Sequence, residues 1–125
     1  MSHKKIFLAL AISLAIWLVL SFTGGITGFS SSSSGDVKEF DVVSSQFRFE
    51  HDISANVGDT LRLKVTSSDV AHGFYLPDYG INEQILPGQT TIIEFKVTKP
   101  GQVLFACSVM CGAGHGSMRG SFTVN

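Results

Sequence analysis

Between Asp36 and Asn125 apolar residues recur at every second position, and this period limits the fold more than any other feature of the chain. Leu61, Leu63 and Val65 alternate with Arg62, Lys64 and Thr66, and Ile93, Phe95 and Val97 alternate with Glu94, Lys96 and Thr98. Val103, Phe105 and Cys107 are separated by Leu104 and Ala106, and Phe122 and Val124 stand two apart near the end. A strand turns successive side chains to opposite faces, so segments of this kind bury one face of a sheet. Turn signals at Val57-Gly58-Asp59, Leu86-Pro87-Gly88 and Lys99-Pro100-Gly101 punctuate the runs. After residue 36 no helical period exceeds two turns. Roughly seven or eight short strands therefore predict an all-β domain over 36–125, a small antiparallel sandwich or barrel.

The N-terminal part obeys a different rule. From Ile6 to Phe22 fifteen of seventeen residues are apolar, and no charge occurs between Lys5 and Asp36. At 1.5 Å per residue such a run spans ~26 Å as a helix, close to the ~30 Å of a bilayer core once the Gly/Thr/Phe residues beyond it are added. Lys4 and Lys5 in front of it put the N-terminus in the cytoplasm and all that follows outside. A cleaved signal peptide is the competing reading, but Leu20-Ser21-Phe22-Thr23-Gly24-Gly25 contains no A-x-A cleavage site. The expectation is a single-pass membrane anchor over 1–23. Residues 24–35, GGITGFSSSSSG, contain five consecutive serines that offer nothing to bury and read as a flexible Gly/Ser-rich linker.

Charge narrows the function. Nine basic and ten acidic residues leave a net −1 and a pI near 6.4, so there is no basic surface for nucleic acid. A hydrophobic fraction of 44% and a mean hydropathy of +0.28 exclude a disordered chain. No Ser/His/Asp or paired-carboxylate spacing suggests a hydrolase.

Most of the potential chemistry crowds into residues 107–118, C-S-V-M-C-G-A-G-H-G-S-M. Cys111, His115 and Met118 are spaced four and three apart, and His72 lies upstream in D-V-A-H-G-F. Two imidazoles, a thiolate and a thioether form the soft, mixed donor set that suits copper in both oxidation states. Four glycines, Gly112, Gly114, Gly116 and Gly120, allow the tight folding that aims three side chains inward. Cys107 is a surplus thiolate for one copper, and two thiolates can bridge two ions, each completed by one His and one weak ligand. A disulfide between the cysteines and a zinc site are the alternatives. His115 and Met118 at ligand spacing weigh against the first, the thioether against the second. His51 has no partner at ligand spacing and reads as surface; Met110 reads as packing.

Taken together, C-x3-C-G-x-G-H-x2-M, D-V-A-H-G-F, V-G-D-T at 57–60, G-I-N at 80–82, L-P-G-Q at 86–89, K-P-G-Q at 99–102 and F-x-F at 47–49 resemble the copper A domain of subunit II of the haem–copper oxidases, the cytochrome c oxidase family. The resemblance covers most of 36–125. It implies a cupredoxin-like Greek-key β-sandwich holding a binuclear copper A centre. In that arrangement Cys107 and Cys111 bridge, His72 and His115 each bind one copper, Met118 is a weak ligand, and the main-chain carbonyl of Val109 is the sixth.

The chain departs from the family pattern in three places. Most members carry Glu at the position of Val109 and use its carboxylate for magnesium, so the resemblance implies no magnesium here. One candidate span replaces the usual two-helix hairpin, and with the non-acidic residue 109 this is similar to the B-type branch. The aromatic stretch that receives electrons from cytochrome c is not recognisable: Phe74, Tyr75 and Tyr79 are the aromatics near His72, and Trp17 is in the predicted membrane segment.

Two readings follow. In the first, the chain is a non-catalytic, electron-transferring subunit of a terminal oxidase in the cell membrane. It accepts electrons from an extracytoplasmic cytochrome c or cupredoxin and passes them to haem in a catalytic subunit. In the second, it is a free-standing, membrane-tethered copper protein acting as an electron shuttle or copper carrier, and the serine run Ser30 to Ser34 supports that tether.

Overall fold

The computed structural model describes residues 36–125. The expected anchor and linker lie outside the described residues, and among the described residues no helix is long and apolar enough to cross a membrane. Nine strands form: β1 (Val37–Ser45), β2 (Arg48–His51), β3 (Ser54–Ala55), β4 (Thr60–Ser67), β5 (His72–Leu76), β6 (Ile81–Ile85), β7 (Thr91–Lys96), β8 (Gly101–Ala106) and β9 (Arg119–Val124). Single 3-10 turns occupy Pro77–Tyr79 and His115–Ser117.

The strands make two sheets, ordered β2-β1-β4-β7 and β3-β9-β8-β5-β6. The alternating residues face each other across the gap. Val42, Leu61, Leu63, Val65 and Ile93 come from the first sheet, and Phe74, Leu76, Ile85, Val103, Phe105, Phe122 and Val124 from the second. Phe105 is central, stacked on Phe74 with ring centroids 4.9 Å apart and edge-on to Phe49 at 5.1 Å. Burial of this area is the main term holding the sandwich closed.

One expectation needs correcting: the sheets are mixed, not purely antiparallel. β1 runs parallel to β4 over eight residues, from Val37 opposite Thr60 to Ser44 opposite Ser67, and β3 runs parallel to β9. Alternation reports which face a residue takes and is the same for either strand direction, so the period of two could not distinguish them. β2 and β3 bring the chain across to the other sheet between β1 and β4, which leaves room for β4 to return in the direction of β1.

Candidate metal centre

Three of the candidate donor side chains stand at the ends of strands of the five-stranded sheet, and Cys111 and His115 lie in the loop between β8 and β9. His72 is the first residue of β5, Cys107 follows the last residue of β8, and Met118 precedes the first of β9. A backbone hydrogen bond from the Cys107 N–H to the Met118 carbonyl, 3.1 Å, closes the base of the loop between β8 and β9. Inside the loop the N–H groups of His115, Ser117 and Met118 bond to the carbonyls of Gly112, Gly114 and His115, winding the turn that carries His115. These bonds satisfy part of the loop's backbone from within, leaving the side chains of Cys111, His115 and Met118 free of that task.

The structure brings five side chains together. The Sγ atoms of Cys107 and Cys111 are 3.7 Å apart and unbonded. His72 Nδ1 stands 3.9 Å from Cys107 Sγ, and His115 Nδ1 stands 3.7 Å from Cys111 Sγ. Met118 Sδ is 3.8 Å from Cys111 Sγ, and the Val109 carbonyl oxygen is 3.1 Å from Cys107 Sγ. His72 and Met118 are fully buried and the two cysteines nearly so. Donors bound at ~2.0–2.3 Å to one ion at tetrahedral angles are separated by ~3.3–3.8 Å; three of these spacings fall in that range, and the His72 and Val109 contacts to Cys107 lie within 0.2 Å of it. His72, Cys107 and Cys111 alone already form a buried trio whose ligand atoms lie within 4.8 Å of one another.

Electrostatics orients the cluster. Asp69 Oδ1 is 2.7 Å from His72 Nε2, which turns Nδ1 toward the sulfurs, a carboxylate–imidazole arrangement typical behind metal-binding histidines. Asp69 is itself held at about 2, first by the Gln46 backbone N–H and then by His72. It is therefore ionised throughout the physiological range. Burial, and after it the neighbouring Cys107, push the Cys111 thiol up. A cation between the sulfurs would relieve both effects, because metal binding favours the thiolate.

Some single residues differ from expectation. Met110 is 76% exposed, so it neither packs nor faces the cluster. His51 is partly buried, with its ring 5.2 Å from that of Phe105, and burial lowers its pKa. Gly112 does have a backbone that disfavours other residues (φ 143°), but Gly114 serves close approach: a Cβ there would run into the Phe47 ring. Three residues near the cluster were not singled out from sequence: Asp69, Gln46 and Phe47. The signals were available, since Asp69 precedes His72 by three in D-V-A-H and Phe47 opens the F-x-F pair.

Residues 29–123 match the family described as cytochrome C oxidase subunit II, periplasmic domain. The chain belongs to this family. A cytochrome c oxidase subunit 2 from Thermus thermophilus is 36% identical over 67 residues, covering 54% of this chain and 50% of that protein. The chain thus spans about half the length of this curated relative. The periplasmic domain of subunit II of cytochrome oxidase (CoxB) of Bradyrhizobium japonicum has the same fold, with a TM-score of 0.66 at 22% identity, covering 70% of this chain and 83% of that one. A chain of a heme-copper terminal oxidase dimer gives a TM-score of 0.68 at 24% identity and covers 99% of this chain and all of that one. Cytochrome c oxidase subunit II domains are thus this chain's relatives, and the β-sandwich is the fold they share.

Proposed function

We propose that this chain is the electron-accepting subunit of a terminal haem–copper oxidase. It would be anchored by residues 1–23, tethered by 24–35 and folded over 36–125 on the extracytoplasmic face of the cell membrane. The observation that carries the proposal is the pairing of donors: each imidazole nitrogen stands at a different thiol, His72 at Cys107 and His115 at Cys111. One ion would draw both imidazoles toward a single point, whereas two bridging sulfurs with one imidazole each suit two ions. His72, Cys107, the Val109 carbonyl, Cys111, His115 and Met118 would hold a binuclear copper A centre, which when bound supplies reversible one-electron acceptance. The thioether of Met118 favours copper over zinc, whose sites take Cys, His and carboxylate donors.

The remaining work falls to the protein. Burial of both cysteines and His72 excludes water, and the rigid strand ends hold the donors in place whichever oxidation state is present, so little reorganisation accompanies transfer. A donor protein, cytochrome c or a cupredoxin, would meet the exposed apolar side chains flanking the site, Phe47, Val70 and Met110. The electron would pass to haem in a catalytic subunit, and this chain would carry out no oxygen chemistry itself. Val109 supplies no carboxylate, so no magnesium is expected at this position, and this with the one span predicted over residues 1–23 favours the B-type branch.

The full-length chain, reconstituted with copper in detergent, should bind two coppers and show a seven-line hyperfine pattern from one electron shared by two nuclei. Cys107→Ser should abolish that pattern, while His51→Ala should keep it. A four-line spectrum with one copper per chain would overturn the binuclear reading. Failure to co-purify with a haem-containing membrane subunit would overturn the oxidase reading.

A further inference from the structure

The donors come from two distant parts of the sequence, His72 on one side and the 107–118 loop on the other, and a third segment touches both. β1 and β2 are joined by Gln46 and Phe47. The Gln46 backbone N–H donates to Asp69 Oδ2 at 2.7 Å, while the other oxygen of that carboxylate holds His72. The side-chain amide of the same residue reaches the other way and donates from Nε2 to the Cys111 carbonyl at 2.6 Å. A carbonyl can only accept, so the nitrogen end of the Gln46 amide must face it. Phe47 lies against Gly112 and Gly114, where no side chain intervenes.

We propose that Gln46 is a positioning residue that fixes the two halves of the metal centre relative to each other, its backbone N–H setting Asp69 and hence His72, its side-chain amide setting the carbonyl of Cys111. Gln46 is exposed overall, so holding its long side chain in one rotamer costs entropy that a residue serving only the turn would not need to spend. The direct links between the two halves gather at the Cys107 end of the loop, the Gly73 N–H and His72 Nδ1 at Cys107 Sγ, 3.4 and 3.9 Å, and the Ser108 hydroxyl at Asn82 Oδ1, 2.6 Å. Without the Gln46 amide the Cys111 side of the loop would keep no hydrogen bond to the β1–β2 turn, only the apolar contact of Phe47 with Gly112 and Gly114, and Cys111 would reach solvent more often through local opening.

The inference uses the copper reading for only one of its measurements. In the full-length, copper-free chain, the rate at which a maleimide modifies Cys111 reports loop opening, because that thiol is buried when the loop is closed. Gln46→Met keeps the length and loses the donor; Gln46→Lys restores a donor at similar reach. We expect Gln46→Met and Gln46→Glu to raise the rate about fivefold, as loss of one hydrogen bond implies. Gln46→Lys should stay within about twofold of the parent, and the thermal midpoint should fall by only about 4–8 °C in the Met and Glu variants. After copper loading, the Met and Glu variants should show a shifted absorption spectrum and reduction potential, and the Lys variant should not. Equal modification rates in Gln46→Met and the parent, or a Lys variant as reactive as the Met variant, would overturn the assignment. If the parent chain takes up no copper pair, the proposed function fails, and the thiol rates still decide the role of Gln46.

Discussion

The two sheets of the sandwich have similar cores and opposite duties. The four-stranded sheet keeps its ladders intact: β1 and β4 stay in register over eight residues and β4 and β7 over six, with charged residues on the outer face and no donor anywhere in it. In the five-stranded sheet β5 and β8, whose ends carry His72 and Cys107, share only the Tyr75–Ala106 pair. Where they part, the Gly73 N–H turns to Cys107 Sγ in place of a carbonyl. The first sheet gains stability from regular pairing; the second gives up pairing at one end, and the space so opened holds the donor cluster. The contrast implies that damage to the first sheet lowers stability without altering the centre. Damage at the parting strands should alter the centre before it unfolds the domain.

Leu63→Ala is the largest expected effect and the first way to break this contrast. Leu63 is fully buried in β4, opposite Ile93 and Phe40. Removing its side chain should cost about 2–5 kcal/mol through lost burial and the cavity left behind. Denaturant titration would measure the loss, and the absorption spectrum of the copper-loaded folded fraction should match the parent. A changed spectrum would mean that the first sheet shapes the centre, and the division of duties would fall.

Gly73→Ala tests the other side. A Cβ at Gly73 would collide with the Ser108 side chain and come within 2.8 Å of its backbone nitrogen, just where β5 passes under the metal loop. Overpacking of this kind should cost about 1–3 kcal/mol, less than Leu63→Ala, yet it should lower copper occupancy and shift the spectrum. Metal content by mass spectrometry and the visible spectrum check it. An unaltered centre would show that the loop is not seated against β5.

How much of this was legible beforehand follows from what periodicity can carry. The alternation at 61–65, 93–97 and 103–107 identified the buried faces, because a strand has only two. The fold type followed once the loop at 107–118 gave its resemblance. Four of the candidate donors, Cys107, Cys111, His115 and Met118, could be singled out because their spacing lies within one loop, whereas His72 stands 35 positions upstream. Strand direction could not be read, nor could β3, whose two residues are too few to show a period. Gln46 and Phe47 were missed because they reach the centre through the fold: Gln46 meets Cys111 from 65 positions away, a contact that no local spacing records. The exposed Met110, framed by two cysteines, shows the converse, since adjacency in the chain placed it outside the cluster.

A smaller effect sharpens the comparison at the edge of the first sheet. Asp59 accepts from the Asn56 backbone N–H at 2.9 Å and pairs with Lys38 Nζ at 2.8 Å. Lys38, followed by the backbone of Asn56, lowers its pKa below the ordinary carboxylate value. A carboxylate with a folded pKa below its unfolded pKa stabilises the fold fully above the unfolded value, about 3.9, and loses that contribution as pH falls through the folded value. The stability gap between the parent and Asp59→Asn should therefore be constant from pH 7 to about 5 and shrink toward pH 3. Urea titrations along that series measure it in the copper-free chain. A gap that widens on acidification would reverse the assigned sign.

The smallest expected effect comes from the outer face of the same sheet. Arg62 Nε meets Glu94 Oε2 at 2.8 Å, and Glu39 links Arg62 and Lys64 at 3.9 and 3.0 Å, with Asp41 beyond at 3.3 Å. These side chains are about half exposed, so water and salt screen their attraction, and the entropy of holding them offsets much of what remains. Glu94→Gln should leave the denaturation midpoint within measurement error of the parent, leave the loaded spectrum unchanged, and behave alike in low and high salt. Glu94 is also flanked by Ile93 and Phe95, which pack inward from β7, so the strand keeps its place without the charge. A loss approaching that of Leu63→Ala, erased by salt, would instead make the ladder a cooperative network. The first sheet would then depend on its outer charges as much as on its core.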